Sequence, residues 1–123
     1  MKLELLKLRF TVCQLENIEQ TDCTAPFTFL AKTDEEISLV CPSETCPVKA
    51  LNRQNGWRCL RVAGPLDFSL IGILAKIAAC LAEAQVPLFA VSTYNTDYIL
   101  FREEFTEAAL NALTNAGYEI SEE

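Results

Sequence analysis

The sequence predicts an α+β fold in which two helices cover one face of an antiparallel sheet. Two stretches of the C-terminal half carry apolar residues at the three-and-four spacing of amphipathic helices. Short runs of strand-forming residues lie before, between and after these stretches. Half of the 123 residues are hydrophobic and 22% are charged, so we expect a packed core and not a disordered chain.

The first helix is predicted from Ser69 to Gln85, with Asp67 and Ser69 as candidate N-caps and Pro87 just beyond its end. A second helix begins near Phe105, and Gly117 is well placed as its C′ residue. The apolar stripe of the first helix consists of Leu70, Ile73, Leu74, Ile77, Ala78, Leu81 and Ala84. The stripe of the second consists of Phe105, Ala109, Ala112, Leu113 and Ala116.

Four predicted strands complete the C-terminal half, at Trp57–Val62, Leu88–Tyr94, Tyr98–Arg102 and Tyr118–Ile120. The order of elements is therefore strand, helix, strand, strand, helix, strand. Right-handed crossovers turn this order into a four-stranded antiparallel sheet with both helices on one face, which is the ferredoxin-like βαββαβ arrangement.

The N-terminal half is less regular and rich in strands. Its strand candidates are Leu3–Leu15, Phe27–Ala31 and Ile37–Cys41. The polar residues 33–36 predict a tight connection, and residues 42–56 contain two prolines and little periodicity, which indicates a linker. We therefore predict an abbreviated half with its linker at residues 1–55 and a complete unit at residues 56–123.

Composition argues against several classes of protein. The net charge is 10 − 17 = −7, and the chain has no basic run to neutralise phosphates, so we expect no nucleic-acid partner. No histidine is present, which removes Ser-His and Cys-His nucleophile pairs and imidazole metal sites. We therefore expect a protein that is not an enzyme and has no catalytic residue, metal or cofactor.

The hydrophobic segments predict neither export nor membrane insertion. Lys2, Glu4, Lys7 and Arg9 interrupt the N-terminal segment, which therefore does not resemble a signal peptide. Lys76 breaks the longest apolar stretch, and a membrane span needs about 20 apolar residues. These features favour a cytoplasmic protein without a membrane partner.

The six cysteines are Cys13, Cys23, Cys41, Cys46, Cys59 and Cys80. Because no export signal and no Cys-x-x-Cys pair accompany them, separate and mostly buried thiols are favoured over a disulfide framework. Cys41 and Cys46 are each followed by proline, and a metal or redox role for this pair is the alternative.

The first predicted helix lacks a polar face opposite its apolar stripe. Opposite its apolar stripe lie Gly72, Ala75, Lys76, Ala79, Ala82 and Glu83. Such a face is typical of a helix that packs against a further surface, either the N-terminal half or a second copy of the chain. An alanine-rich helix of high propensity is the alternative. We take Gly72, Ala75 and Ala79 as the candidate interface of a homodimer.

Four segments of the C-terminal half carry a family resemblance, at residues 57–68, 72–75, 81–84 and 89–100. The most specific is Ser-Thr-Tyr-Asn-Thr-Asp-Tyr-Ile-Leu at residues 92–100. Together they resemble the ACT domain, above all the small stand-alone members that are similar to aspartate kinase regulatory domains and to animal cytosolic arginine sensors. Residues 10–15 and 33–41 carry a weaker likeness to an abbreviated first ACT unit. The resemblance implies a non-catalytic, paired module that senses a small molecule, often an amino acid.

In such modules the ligand lies where the strand-to-helix loop of one unit meets a strand of another. A helix N-terminus suits a carboxylate, and a nearby acid or strand carbonyl suits an ammonium group. The candidate ligand-binding residues are Gly64, Pro65, Leu66, Asp67, Phe68, Ser69 and Gly72 of the loop, with Ser92 and Thr93 of the following strand. The alternatives are that Asp67 is a plain helix cap and that residues 92–97 only form a hairpin turn.

Two functions follow from this site. The sequence favours a regulatory module that binds an amino acid or a similar metabolite as a homodimer. The alternative is a protein-interaction or oligomerisation module of the same fold with no small-molecule ligand.

Overall fold

A computed structural model describes residues 1–64 and 71–122. It divides into two compact units: a larger unit, Met1–Lys7 with Arg58–Glu123, and a smaller unit, Leu8–Trp57. In chain order the strands are β1 (Lys2–Leu5), β2 (Phe10–Leu15), β3 (Phe29–Lys32), β4 (Ile37–Pro42), β5 (Asn52–Val62), β6 (Phe89–Ser92), β7 (Asp97–Arg102) and β8 (Glu119–Glu122), and the α-helices are α1 (Ile73–Glu83) and α2 (Thr106–Asn115).

The larger unit confirms the predicted ferredoxin-like order, which runs β5, α1, β6, β7, α2, β8. Strand β7 pairs with β5 and, antiparallel, with β6. The core lies between the sheet and the two helices, where Leu60 and Val62 of β5 pack with Ile77 of α1 and Leu113 of α2. Because side chains alternate along a strand, Arg61 is on the face of the sheet opposite α1 and α2.

The predicted four-stranded antiparallel sheet is wrong in one respect. Strand β1 lies between β5 and β8, antiparallel to the first and parallel to the second. Leu3 and Leu5 of β1 are buried opposite Val62 and Leu60, so the insertion extends the apolar layer under the helices. The sequence predicts one strand at residues 3–15, because its alternating pattern continues across residues 6–9. The structure has two strands here, since the chain leaves one unit for the other between them.

The start of α1 also differs from the prediction. Its N-cap is Gly72, with φ +76° and no side-chain cap bond, and the predicted caps Asp67 and Ser69 lie outside the described residues. A residue in the left-handed region cannot continue a helix backwards, which is why the apolar spacing before Ile73 does not extend α1. The C-terminal end of α2 is as predicted: Gly117 has φ +99°, and Tyr118 N donates to Leu113 O at 3.1 Å.

The smaller unit is a sheet of four antiparallel strands in the order β3, β4, β2 and the first half of β5. Residues 8–57 are all described and contain no α-helix, only the 3₁₀ turns Ile18–Gln20 and Ser43–Thr45. This agrees with the predicted strand-rich half without its helices. The predicted linker at 42–56 is wrong for residues 52–56, which belong to β5; they are polar and mostly exposed, so they give no apolar strand pattern.

Candidate functional site

A cavity of about 310 Å³ opens in the larger unit beside the end of β5. The residues that line it are Glu4, Arg61, Gly64, Asn95, Thr96 and Tyr98. Glu4, Arg61 and Tyr98 reach it from three neighbouring strands, on the sheet face opposite α1 and α2. Asn95 and Thr96 come from the turn between β6 and β7. The cavity therefore brings together charged and amide side chains at the point where the strand-to-helix loop leaves β5.

An ion pair forms one wall of the cavity. Glu4 and Arg61 are opposite each other in the β1–β5 register, and Arg61 Nε donates to Glu4 Oε1 at 2.9 Å. Their side chains are 19% and 29% exposed, so both charges are largely withdrawn from water. The bond to Glu4 raises the pKa of Arg61, and a hydrogen bond with Tyr98 adds to the rise. The wall thus presents one fixed negative and one fixed positive group.

The turn between β6 and β7 is held by its own threonines. Thr93 N and Thr93 Oγ1 donate to Thr96 O at 2.9 and 3.0 Å. Thr96 Oγ1 is buried and donates to Val62 O at 2.6 Å, which ties the turn to β5. Ser92 Oγ donates to Asp97 Oδ1 at 2.6 Å. The predicted site residues Ser92 and Thr93 therefore have structural partners within the hairpin, and Asn95 and Thr96 of the same turn line the cavity.

Of the predicted loop residues that the structure describes, Gly64 lines the cavity and Gly72 begins α1. Pro65, Leu66, Asp67, Phe68 and Ser69 lie outside the described residues. Gly64 and Gly72 flank these residues in the sequence.

Five residues that line the cavity were not predicted from the sequence: Glu4, Arg61, Asn95, Thr96 and Tyr98. The sequence contains only a weak signal for Glu4 and Arg61, which is their alternation with buried residues. Glu4 separates two buried leucines, and Arg61 separates Leu60 from Val62. Such alternation indicates a charged side chain on the other face of a strand, but it does not tell which strand lies next to it. Only the insertion of β1 beside β5 puts the two charges in contact.

The predicted interface residues lie on the outer side of α1. Ala75 and Ala79 are exposed, as are Lys76 and Ala82, and Gly72 is half-buried. The helix thus presents a nearly uncharged face, as its sequence predicts.

The described residues contain neither a metal-binding cluster nor a membrane-spanning helix. No group of three or more His, Cys, Asp or Glu side chains within 1–64 and 71–122 is arranged to hold a metal ion. Over the same ranges, neither helix is long and apolar enough to cross a membrane.

Two helices on one face of a sheet, in the order strand, helix, strand, strand, helix, strand, define the larger unit as a ferredoxin-like α+β module. A model of the ACT domain matches residues 52–115, more than half of the sequence. The chain belongs to the ACT domain family, as the resemblance in its sequence indicated.

The chain is also similar to known proteins in sequence and in fold. Over 58 residues, 46% of the chain, it is 38% identical to the cytosolic arginine sensor for mTORC1 subunit 1 of Homo sapiens; the matched part is 18% of that protein. The crystal structure of protein Atu0741 from Agrobacterium tumefaciens has a TM-score of 0.87 and 29% identity, and the match covers 99% of this chain and 92% of that one. Aspartate kinase from Synechocystis shares the fold at 16% identity and a TM-score of 0.69, over 98% of this chain and 27% of the kinase.

Proposed function

We propose that the chain is a regulatory module that binds a free amino acid in its larger unit. The observation that carries this proposal is the cavity beside Gly64, whose wall holds both a carboxylate and a guanidinium group. Its volume of about 310 Å³ is at the lower end of the range of about 300–1,000 Å³ for small-molecule sites. This size suits a compact ligand.

The charges in the cavity match those of a zwitterion. An amino acid presents a carboxylate and an ammonium group on neighbouring atoms, and Arg61 and Glu4 offer the opposite charge to each. Asn95 adds an amide that both donates and accepts hydrogen bonds. Gly64 has no side chain, so a ligand can approach the start of the loop closely.

The loop from Gly64 to Gly72 is the second part of the proposed site. In this proposal, the amide groups at the N-terminus of α1 join Arg61 in binding the ligand carboxylate, and Asp67 and Ser69 of the loop offer further polar contacts. Ser92 and Thr93 hold the hairpin turn that presents Asn95 and Thr96 to the ligand. The similarity to an arginine sensor supports a sensing role over catalysis and makes arginine the first ligand to test.

A thermal shift screen of the twenty amino acids tests the proposal. A ligand that binds only the folded state raises the melting temperature, and at 100 times its Kd it adds about 2.7 kcal/mol to the free energy of unfolding. We expect one amino acid, at millimolar concentration, to produce a shift that disappears in Arg61→Ala and Glu4→Gln. Glu107→Gln removes an exposed carboxylate of α2 and is the matched control, which should keep the shift. No shift with any amino acid would refute the proposal.

A second candidate function is protein interaction, which the exposed small residues of α1 favour. Here Gly72, Ala75 and Ala79 form the contact of a homodimer. The mass of the chain in solution tests this function, because Ala79→Arg should convert a dimer into a monomer. Thr114→Arg places the same charge on the exposed side of α2 and should leave the mass unchanged. A wild-type chain that is monomeric at high concentration would contradict this function.

A further inference from the structure

A cluster of three thiols lies in the smaller unit and has no part in the proposed ligand site. Cys13 and Cys41 are 4% and 1% exposed, and they form a small core with Leu15 and Leu39. Cys46 follows the 3₁₀ turn Ser43–Thr45, packs against this core and is half-buried. Residues from β2, β4 and the segment after β4 thus bring three of the six cysteines to one place.

Two of these thiols are already in contact. Cys46 Sγ donates to Cys13 Sγ at 3.7 Å, and it also lies 3.7 Å from Pro47 O. A disulfide has an S–S distance of about 2.05 Å, so the two sulfur atoms must approach by about 1.7 Å to form one. Cys46 lies outside the strands, where a side-chain rotation can supply this movement without disturbing the pairing of β2 and β4.

A cation lies next to the pair. Arg53 is opposite Cys13 in the β2–β5 register, and Arg53 Nη1 donates to Pro47 O at 3.5 Å, one residue beyond Cys46. Burial raises the pKa of Cys13 to about 11, and the charge of Arg53 opposes this rise. Burial likewise raises the pKa of Cys41 to about 12. The two buried thiols are therefore protonated at neutral pH, and the half-buried Cys46 is the thiol that a solute reaches first.

We propose that Cys13 and Cys46 form a redox-active dithiol that hydrogen peroxide converts to a disulfide. The Cys46 sulfur attacks one peroxide oxygen, the O–O bond breaks, and the product is a sulfenic acid and one water molecule. The Cys13 sulfur then attacks the Cys46 sulfur, the S–O bond breaks, and the hydroxyl group leaves with the Cys13 proton as a second water molecule. Overall two thiols lose two hydrogen atoms and one peroxide is reduced to two waters, and a reducing thiol reverses the change by exchange.

Such a site is compatible with a reducing compartment. Intracellular disulfides in mesophiles are usually transient and belong to catalytic or redox-sensing sites. The sequence left open a metal or redox role for Cys41 and Cys46; the structure assigns the redox pair to Cys46 and Cys13, with Cys41 as the third thiol beside it.

Peptide mapping of the oxidised full chain tests the proposal. The reduced protein is treated with hydrogen peroxide, the remaining thiols are alkylated, and the chain is cleaved. Trypsin alone leaves Cys13 with Cys23 and Cys41 with Cys46, because no Lys or Arg separates either pair. Additional cleavage after glutamate, at Glu16 and Glu44, separates both pairs. We expect one peptide linked through Cys13 and Cys46, and its disappearance after reduction.

Variants sharpen the result. Cys46→Ser should abolish the linked peptide and leave Cys13 in its alkylated form, whereas Cys23→Ser, which changes an exposed thiol, should not alter it. Arg53→Gln should slow formation of the linked peptide several-fold, and Arg53→Lys should restore most of the rate. A link from Cys46 to Cys41 or to Cys23, or an oxidised Cys46 without any link, would overturn the proposal. The mapping of the wild-type chain decides between these outcomes whether or not a variant folds.

Discussion

The hydrogen bond between Thr96 and Val62 is the contact that ties the β6–β7 turn to β5 beside the cavity. Thr96 Oγ1 lies 2.6 Å from Val62 O, and Thr96 is 7% exposed. Thr96→Val keeps the shape of the side chain and removes this donor from a buried carbonyl. A hydrogen bond contributes about 0.5–1.5 kcal/mol net, and a buried group left without a partner costs about 1–3 kcal/mol. We therefore expect the free energy of unfolding to fall by about 1.5 kcal/mol.

Urea unfolding followed by circular dichroism measures this loss. With a slope of about 1.5 kcal/mol per molar urea, the midpoint should fall by about 1 M while the slope stays constant. Thr114→Val makes the same chemical change at an exposed position of α2 and should shift the free energy by less than about 0.5 kcal/mol. Equal midpoints for the two variants would show that the bond to Val62 does not stabilise the folded state.

Three further predictions concern the packing, a helix end and a buried thiol of the larger unit. Leu113→Ala empties a fully buried position of α2 and should lower the free energy of unfolding by about 2–5 kcal/mol in the same urea assay; a loss below about 1 kcal/mol would contradict the described core. Gly117→Ala adds a Cβ at a residue with φ +99°, and no neighbouring group lies within 4 Å of that Cβ. Backbone strain alone should therefore lower the melting temperature, by the equivalent of about 1 kcal/mol. An unchanged melting temperature would show that the residue is not left-handed. Burial raises the pKa of Cys59 from 9.0 to about 12, so the thiol ionises at a lower pH in the unfolded state than in the folded state. The stability that this thiol contributes below pH 9.0 is therefore lost as the pH rises towards 12, by up to about 1.4 kcal/mol per pH unit. Cys59→Ala should therefore lose less stability than the wild type between about pH 8 and about pH 10, and equal losses in the two proteins would contradict the burial of the thiol.

Helix α2 and the β6–β7 hairpin follow from local sequence. The apolar spacing of α2 and the position of Gly117 fix its face and its end, because both depend on residues within one or two turns. The hairpin turn predicted within residues 92–97 likewise forms, through bonds that join Thr93 to Thr96. In these elements the residues that determine the conformation are close together in the chain.

The start of α1 and the place of β1 do not follow from local sequence. Apolar spacing continues before Ile73, yet the helix starts there because Gly72 is left-handed. The alternation of residues in β1 does not indicate which strands it pairs with. Its leucines match the helix-covered face of β5 and β8, and only this match places β1 between those two strands.

The class of fold, the ACT family and the segment where a strand passes into a helix could be predicted from the sequence, because periodicity, turn residues and motifs are local properties. The side-chain contacts depend on the tertiary packing. Glu4 and Arg61 are 57 residues apart in the chain, and Cys13 and Cys46 are 33 residues apart. Contacts over such separations depend on strand order and register, which a pattern of alternating residues leaves open. Both the charged cavity and the thiol pair therefore arise from the packing of elements that look ordinary in the sequence.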